Sequence, residues 1–453
     1  MKTGFTLGRL KDQKRMKILV LGAGVVGTTS AWYLAKAGHE VTVLDRQPDA
    51  GLETSFANGG QISVSHSEPW AAPRTLLKAL KWLPRDDAPL LFRPRASWHQ
   101  ISWGLRFLYE CLPSRYRFNV REMANLGRYS LHALRELRRE TGIQYDQVTR
   151  GILQFYTDPG DFETAHAACR LLREYGIARD VKTVDEAIAI EPALAGARDK
   201  LAGATYAPDD ESGDAGKFTQ ALAALCARAG VAFRFQTRVV AIVASGGRVT
   251  GVRACHEGDL PETLSADAYV VALGSYSPLL LWPIGLSIPV YPAKGYSATL
   301  STGGFEGAPR VSLTDEANKI VFSRLGERLR IAGTAEFAGY DTGLNKVRCE
   351  ALVKRARALF PGAADFDHPT YWAGLRPATP SNRPLIGRTK RYRNLYLNTG
   401  HGTLGWTEGC GSGRALADII SGKRPEVDYH FLGVEHPRTG AISAAAPRLA
   451  DRR

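Results

Sequence analysis

No Cys-x-x-Cys pair occurs in the chain; its six cysteines (Cys111, Cys169, Cys226, Cys255, Cys349 and Cys410) are scattered. That pattern argues against a disulfide framework or a zinc site and fits a reducing compartment, so no metal is expected. Long uninterrupted apolar runs are lacking too. Ala268 to Ala293 is uncharged and long enough to span a bilayer, but Pro278, Pro283, Pro289 and Pro292 break any continuous helix there. The basic start, Lys11 to Lys17, imitates the head of a secretory leader, yet cleavage behind it would destroy the glycine loop described next. There is no internal repeat and no recognisable nucleic-acid-binding module. The formal charge of +14 therefore leaves an anionic surface, an anionic substrate or plain solvated arginine as its meaning.

What is present begins at residue 17. An apolar run, Lys17 to Leu21, leads into Gly22-x-Gly24-x-x-Gly27, a helical stretch to Ala37, a stop at Gly38, and a second run, Val41 to Leu44, ending in Asp45. Gly22 permits a tight turn, Gly24 lets backbone approach a pyrophosphate, and Gly27 lets helix and strand pack closely. The helix N-terminus then faces phosphate charge, and Asp45 stands where a carboxylate takes ribose hydroxyls. A glycine-rich turn without ligand is the alternative. The full order of strand, turn, helix, strand and acid favours a dinucleotide.

At 453 residues the chain is too long for one core and divides into two interleaved domains. Residues 16–66, 203–289 and 373–430 are assigned to a nucleotide domain, and residues 67–202 and 290–372 to a substrate domain. Residues 1–15 and 438–453 are expected to be disordered. Helical spacing of Met123, Leu126, Leu134 and Leu137 ends at Gly142, Ile152 to Tyr156 reads as a strand, and Phe218 to Ala229 reads as a helix. From Val290 to Ala335, strands in quick succession suggest an antiparallel sheet. Asn394 to Leu397, the loop Gly400-His401-Gly402-Thr403-Leu404-Gly405 and a helix to Ile420 repeat the plan of the N-terminus.

Two glycine loops at opposite ends of the sequence suit a large bipartite cofactor, and FAD fits better than NAD. A helix N-terminus can face the flavin edge where negative charge gathers on reduction. Pro377 extends the backbone at Arg376, whose planar fork matches a carboxylate; an interdomain salt bridge is the alternative.

With these segments in hand, the chain resembles the bacterial D-amino-acid dehydrogenase small-subunit family, within the wider D-amino-acid and glycine oxidase group. The carriers are the glycine fingerprint, Leu52-Glu53-Thr54-Ser55, Ala57 to Ser63, Pro69-Trp70-Ala71-Ala72-Pro73, Gly274-Ser275-Tyr276-Ser277, Tyr291 to Ser297, Gly374-Leu375-Arg376-Pro377 and Asn398 to Trp406. The resemblance implies an α/β fold: a glutathione-reductase-like FAD-binding Rossmann domain interleaved with an α+β substrate domain on a mostly antiparallel sheet.

It also implies roles. Gly22, Gly24, Val25, Val26, Gly27, Asp45, Arg46 and Ser55 would hold the ADP half of FAD, with Val239 on the adenine side and Gly274 near the pyrophosphate. Asn58, Gly59, Gly60 and Gln61 would run along the flavin's reactive edge, with Gly374, Gly400, His401, Gly402, Thr403 and Leu404 around the ring. Arg376 would clamp the substrate carboxylate. Tyr291 and Tyr296 would line the pocket or pack as aromatic core, and Lys294 would approach the flavin or reach solvent. His66 and Glu68 depart from the family pattern: as a surface loop they mean little, whereas on the pocket they favour a more polar or cationic substrate.

The implied reaction is oxidative deamination of a D-amino acid to a 2-oxo acid and ammonia, with hydride passing from Cα to flavin N5 and electrons to a quinone-type respiratory acceptor. A cytoplasmic location follows, with peripheral contact on the inner membrane. Trp70, Trp82, Trp98 and Trp103 among basic residues would make that contact, or be buried in the substrate domain. The rivals are an oxygen-using glycine or sarcosine type oxidase that makes peroxide, a tRNA-modifying relative and a non-catalytic nucleotide binder.

Overall fold

The computed structural model describes residues 15–73, 90–93 and 97–435. The termini expected to be disordered, Arg15 apart, and Trp82 lie outside the described residues.

Two sheets carry the architecture. The first has six strands in the order Leu385–Arg388, Leu395–Thr399, Ala268–Val271, Lys17–Leu21, Glu40–Leu44 and Ala232–Arg234. All neighbours are parallel except the edge pair of Leu385–Arg388 with Leu395–Thr399. The central strands are apolar on both faces because both are covered: helices Val25–Lys36, Ala215–Arg228 and Gly405–Ile420 lie on one, and the three-stranded sheet of Thr237–Ser245, Arg248–His256 and Glu262–Leu264 lies on the other. The helix Val25–Lys36 packs on the sheet beside the helix Gly405–Ile420, and Thr29 Oγ1 donates to Gly409 O at 2.8 Å across them. The first and last segments of the chain are thereby joined in one layer, as their repeated plan suggested.

The second sheet is mixed and mostly antiparallel, with nine strands. At one end Tyr291–Ser301 lies between Arg328–Phe337 and the edge strand Thr370–Ala378. Ile152–Tyr156 meets Ser312–Asp315 in parallel, and Leu90–Phe92 meets Arg328–Phe337 in parallel. The helix Lys346–Leu359 buries Cys349, Leu352, Val353 and Ala356 against this sheet.

Two domain bounds need shifting. Gly203–Ala207, expected to open the second nucleotide block, pairs with Ile152–Tyr156 in the nine-stranded sheet. The strand Thr370–Ala378 runs straight through the bound at 372/373. Alternation and turn residues locate a strand but carry no information about which sheet receives it.

The segment Ser63–Ser67 connects the two sheets and is tied by one carboxylate. Asp210, 2% exposed, accepts from Val64 N at 2.9 Å, Ser65 N at 3.2 Å, Ser63 Oγ at 3.0 Å and Ser65 Oγ at 2.6 Å. Ser63 N in turn donates to Thr407 Oγ1 at 3.0 Å. Asp210→Ala strands several buried donors and is expected to lower unfolding stability by about 3 kcal/mol, read from urea denaturation. A loss below about 1 kcal/mol would mean that the loop relaxes to water.

Candidate active site

The first glycine loop follows the strand Lys17–Leu21. A Cβ on Gly27 would lie 1.9 Å from Gly22 O, so helix and loop approach only because residue 27 has no side chain. The helix Val25–Lys36 starts without a side-chain cap of its own; Val25 N instead donates to Ser55 Oγ at 3.1 Å. Asp45 closes the second strand. Its carboxylate accepts from Ala23 N at 2.6 Å and Gln47 N at 2.9 Å, and its other lone pairs remain for ribose hydroxyls. Burial raises its pKa against the pull of those two bonds. Arg46 donates Nε to Glu53 Oε1 at 2.6 Å and lies 4.2 Å over the Tyr276 ring.

The second loop follows the strand Leu395–Thr399. The helix Gly405–Ile420 has no side-chain cap either, leaving its N-terminal dipole open. His401 is buried and contacts Ser412 Oγ through Nε2 at 3.1 Å. Burial lowers its pKa to about 3, so it shapes the loop as a neutral group.

Both uncapped helix ends open into one cavity of about 1670 Å³. That exceeds the usual range for a single small ligand and leaves room for a dinucleotide with a substrate. Gly22, Gly24, Val25, Val26, Asp45, Arg46, Ser55, Asn58, Gly59, Gln61, Val239, Gly274, Gly374, His401, Gly402, Thr403 and Leu404 all line it. Gly27, Gly60 and Gly400 stand behind the wall: Gly60 N bonds Asn58 Oδ1 at 2.9 Å, and Gly400 turns the chain at φ 84°.

Arg376 also faces the cavity, whereas Tyr296 borders it from the neighbouring strand with its ring turned into the core beneath the helix Lys346–Leu359. Arg376 Nη1 donates to Thr334 O at 2.7 Å, and no carboxylate pairs with the guanidinium among the described residues. A Cβ on Gly295 would fall 2.2 Å from Arg376 Nη1, so the guanidinium lies directly over residue 295. Burial, with the Arg348 charge nearby, lowers the Arg376 pKa to about 10, leaving it charged at neutral pH. Thr334 holds its carbonyl in place at a cost. Its φ is 57°, the left-handed region, where a β-branched residue is strained by roughly 1–3 kcal/mol.

Tyr296 donates its hydroxyl to Glu336 Oε2 at 2.6 Å. Tyr291 does not line the cavity. It is core, stacked on Phe337 at 6.0 Å and close to Trp103 and His99. Lys294 is neither on the cavity wall nor in solvent; it is buried, with Nζ donating to Asp341 Oδ2 at 3.0 Å and Gly343 O at 3.1 Å. Strand alternation puts Tyr291 on the face of Gly295, where Trp103 and Phe337 cover it, and Tyr296 on the face of Lys294, whose Nζ lies 5.4 Å from its ring centroid. His66 and Glu68 line the cavity and are not a surface loop. Of the tryptophans, Trp103 is buried, donating Nε1 to Ala378 O at 2.9 Å, while Trp98 is 72% exposed.

Thr334 escaped the sequence reading, and Gly295, Trp372 and Tyr276 received no role in it. Tyr276 had a signal in its place just after Gly274; the positive φ of Thr334 had none.

Residues 17–419 match the family described as FAD dependent oxidoreductase. The chain belongs to that family. It is 61% identical over 417 residues to a D-amino acid dehydrogenase of Dechloromonas aromatica, covering 92% of this chain and all of the relative. It is 54% identical over 424 residues to one of Paramagnetospirillum magneticum, covering 93% and 98%. In shape it is similar to glycine oxidase from Geobacillus kaustophilus, with TM-score 0.68, 24% identity, and 91% and 96% of the two chains covered. L-proline dehydrogenase from P. horikoshii gives TM-score 0.70 at 19% identity, covering 91% and 95%. The expected α/β architecture with an FAD-binding Rossmann-type sheet is borne out, and so is FAD as cofactor. The two open helix ends, Asp45 and the cavity volume all fit that group.

Relieving the strain at residue 334 separates stability from binding. Thr334→Gly is expected to raise unfolding stability by about 1 kcal/mol while loosening Arg376. Binding of a small carboxylate, followed in the flavin spectrum, weakens several-fold.

Proposed function

We propose that this chain catalyses FAD-dependent oxidative deamination of D-amino acids to 2-oxo acids and ammonia, passing electrons to a quinone. One observation carries the chemistry: a partly buried guanidinium faces the cavity, and no carboxylate pairs with it among the described residues. Such a charge is costly unless an anion joins it, and its fork matches a substrate carboxylate through two charge-assisted hydrogen bonds. The D-configured amino acid is taken from the names of the relatives.

Bound FAD supplies the two-electron acceptor that takes hydride from Cα at its N5. The chain's own residues arrange the rest. Arg376 fixes the carboxylate, and Gly295 leaves room for the guanidinium. Trp372 walls the space around it. The Arg376 charge and the low dielectric both favour a neutral substrate amine, whose lone pair assists hydride departure. No side-chain base is then required, and the imine hydrolyses in water. In this reading the segments 16–66, 203–289 and 373–430 hold FAD, with Gly203–Ala207 and Thr370–Ala378 lent to the substrate side.

Arg376→Gln is expected to raise KM for D-alanine about 100-fold while FAD stays bound, since two charge-assisted bonds are lost. In rapid mixing, D-alanine bleaches the flavin and L-alanine does not. Bleaching by the L-enantiomer alone, or by no member of a D-amino-acid panel, would overturn the proposal.

The quinone and a membrane contact rest on the helix Trp98–Glu110. Trp98, Ile101, Leu105, Leu108 and Tyr109 form an exposed apolar stripe, and Leu112 continues it. Ile101, Leu105 and Leu108 also line the cavity, while Arg106 and Arg117 stand exposed beside them. An apolar acceptor dissolved in an anionic bilayer would reach the cavity along that stripe. No helix among the described residues is long and apolar enough to cross a membrane, so the contact is peripheral. The protein is expected to sediment with phosphatidylglycerol vesicles at low salt and to be released by Leu105→Glu. Indifference to vesicles, with stoichiometric peroxide in air, would assign the electrons to oxygen.

A further inference from the structure

Two groups of residues with opposite chemistry line the cavity. Trp70, Leu90, Phe92, Trp103 and Phe337 make one part apolar. The other part runs from Gln61 and Thr314 to His66, Glu68, Glu316 and Lys319.

The charges of the second group are internally matched. Arg179 donates Nη1 to Glu68 Oε2 at 2.9 Å, Nη2 to Tyr156 Oη at 2.8 Å and Nε to Thr205 Oγ1 at 3.1 Å. Glu68 also accepts from Tyr116 Oη at 3.2 Å, and Lys319 pairs with Glu316. Arg179 and Lys319 are each committed to a carboxylate and so are not open to an anionic guest. A charged guest would break one of these pairs and leave its partner desolvated.

His66 is the exception. Its ring has no hydrogen-bond partner among the described residues, and it faces the cavity. Burial lowers its pKa, the desolvation outweighing Glu316 nearby, so the imidazole is neutral at pH 7 and offers one donor and one acceptor. It is also rigidly placed. It ends the turn Val64–His66, whose backbone Asp210 clasps.

This polar part joins the flavin-edge strip through Gln61, whose Nε2 bonds Ser312 Oγ at 3.0 Å and Thr314 Oγ1 at 3.1 Å. Glu316 follows Thr314 by two residues, and His66 follows Gln61 by five. The strand Ser312–Asp315 lies two strands along the sheet from Arg328–Phe337, whose Thr334 binds Arg376, and both stretches line the one cavity.

We propose that the polar part is a side-chain subsite in which His66 hydrogen-bonds the uncharged polar end, amide or hydroxyl, of the substrate. The inference rests on the amino-acid oxidation proposed above and adds a specificity determinant to it. An amide carries both a donor and an acceptor and so complements the neutral imidazole. Aliphatic side chains have the apolar part available, and His66 sets the balance between the two kinds.

The test is the ratio of kcat/KM for D-glutamine to that for D-methionine, which are similar in length, in the holoenzyme. His66→Leu is expected to lower the ratio about tenfold, the worth of a strong neutral hydrogen bond, mainly through KM for D-glutamine. His66→Asn is expected to restore part of it. An unchanged ratio, or equal losses for both substrates, overturns the proposal. A second measurement needs no variant: the wild type is expected to favour D-glutamine over D-glutamate at least about tenfold, because the matched ion pairs reject a charge. Parity between those two, or preference for D-glutamate, also overturns it. Absence of flavin bleaching by every D-amino acid is a separate result and would instead remove the functional reading beneath it.

Discussion

A guanidinium with no carboxylate partner among the described residues organises this molecule's chemistry. Arg376 sits deep in the protein, held by a single carbonyl, and that carbonyl belongs to a threonine in a backbone region that threonine avoids. Strain at Thr334 and the unmatched charge at Arg376 are both unfavourable in the free protein. Both are tolerated because the strands around them are tightly paired: Tyr291–Ser301 is hydrogen-bonded along both edges. The free energy withheld from folding is thus available for gripping an anion, which is what a pre-organised site requires.

Around that point the cavity is made by two sheets that differ in kind. The parallel six-stranded sheet brings two helix N-termini to one side, as parallel strands must when their following helices pack against a common face. The mixed sheet supplies the wall opposite, with Arg376, Gly295 and Thr334 close together on adjacent strands. The segment from Asn58 to Glu68 runs between the sheets and belongs to both parts of the cavity. Its clasp by Asp210 makes the flavin-edge strip and the His66 wall one rigid unit. Substrate selectivity and cofactor placement are mechanically linked there.

The legible parts of the site were those encoded locally. Gly22 to Asp45 could be read because turn, helix start and strand end each leave a mark within a few residues. Arg376 was legible for a different reason: Pro377 fixes the chain direction, and the family likeness supplied the role. Tyr291 failed because identity and nearness in sequence do not tell which residues cover a strand face. Lys294 failed because its partners, Asp341 and Glu336, are more than forty residues away. His66 looked like a surface loop because its surroundings are polar, and those polar neighbours turned out to be inside.

By itself, then, the chain's order of residues determined the nucleotide-binding loop, most helix and strand positions and the placing of a lone arginine beside a proline. These follow from backbone preferences and spacing, which act over short stretches. Only the tertiary structure decided which sheet each strand joined, that Arg376 had no carboxylate partner among the described residues, that Thr334 carried strain, and that His66 faced an enclosed space. Those properties depend on which distant groups meet, and on whether a charge meets its opposite, and no local pattern records either.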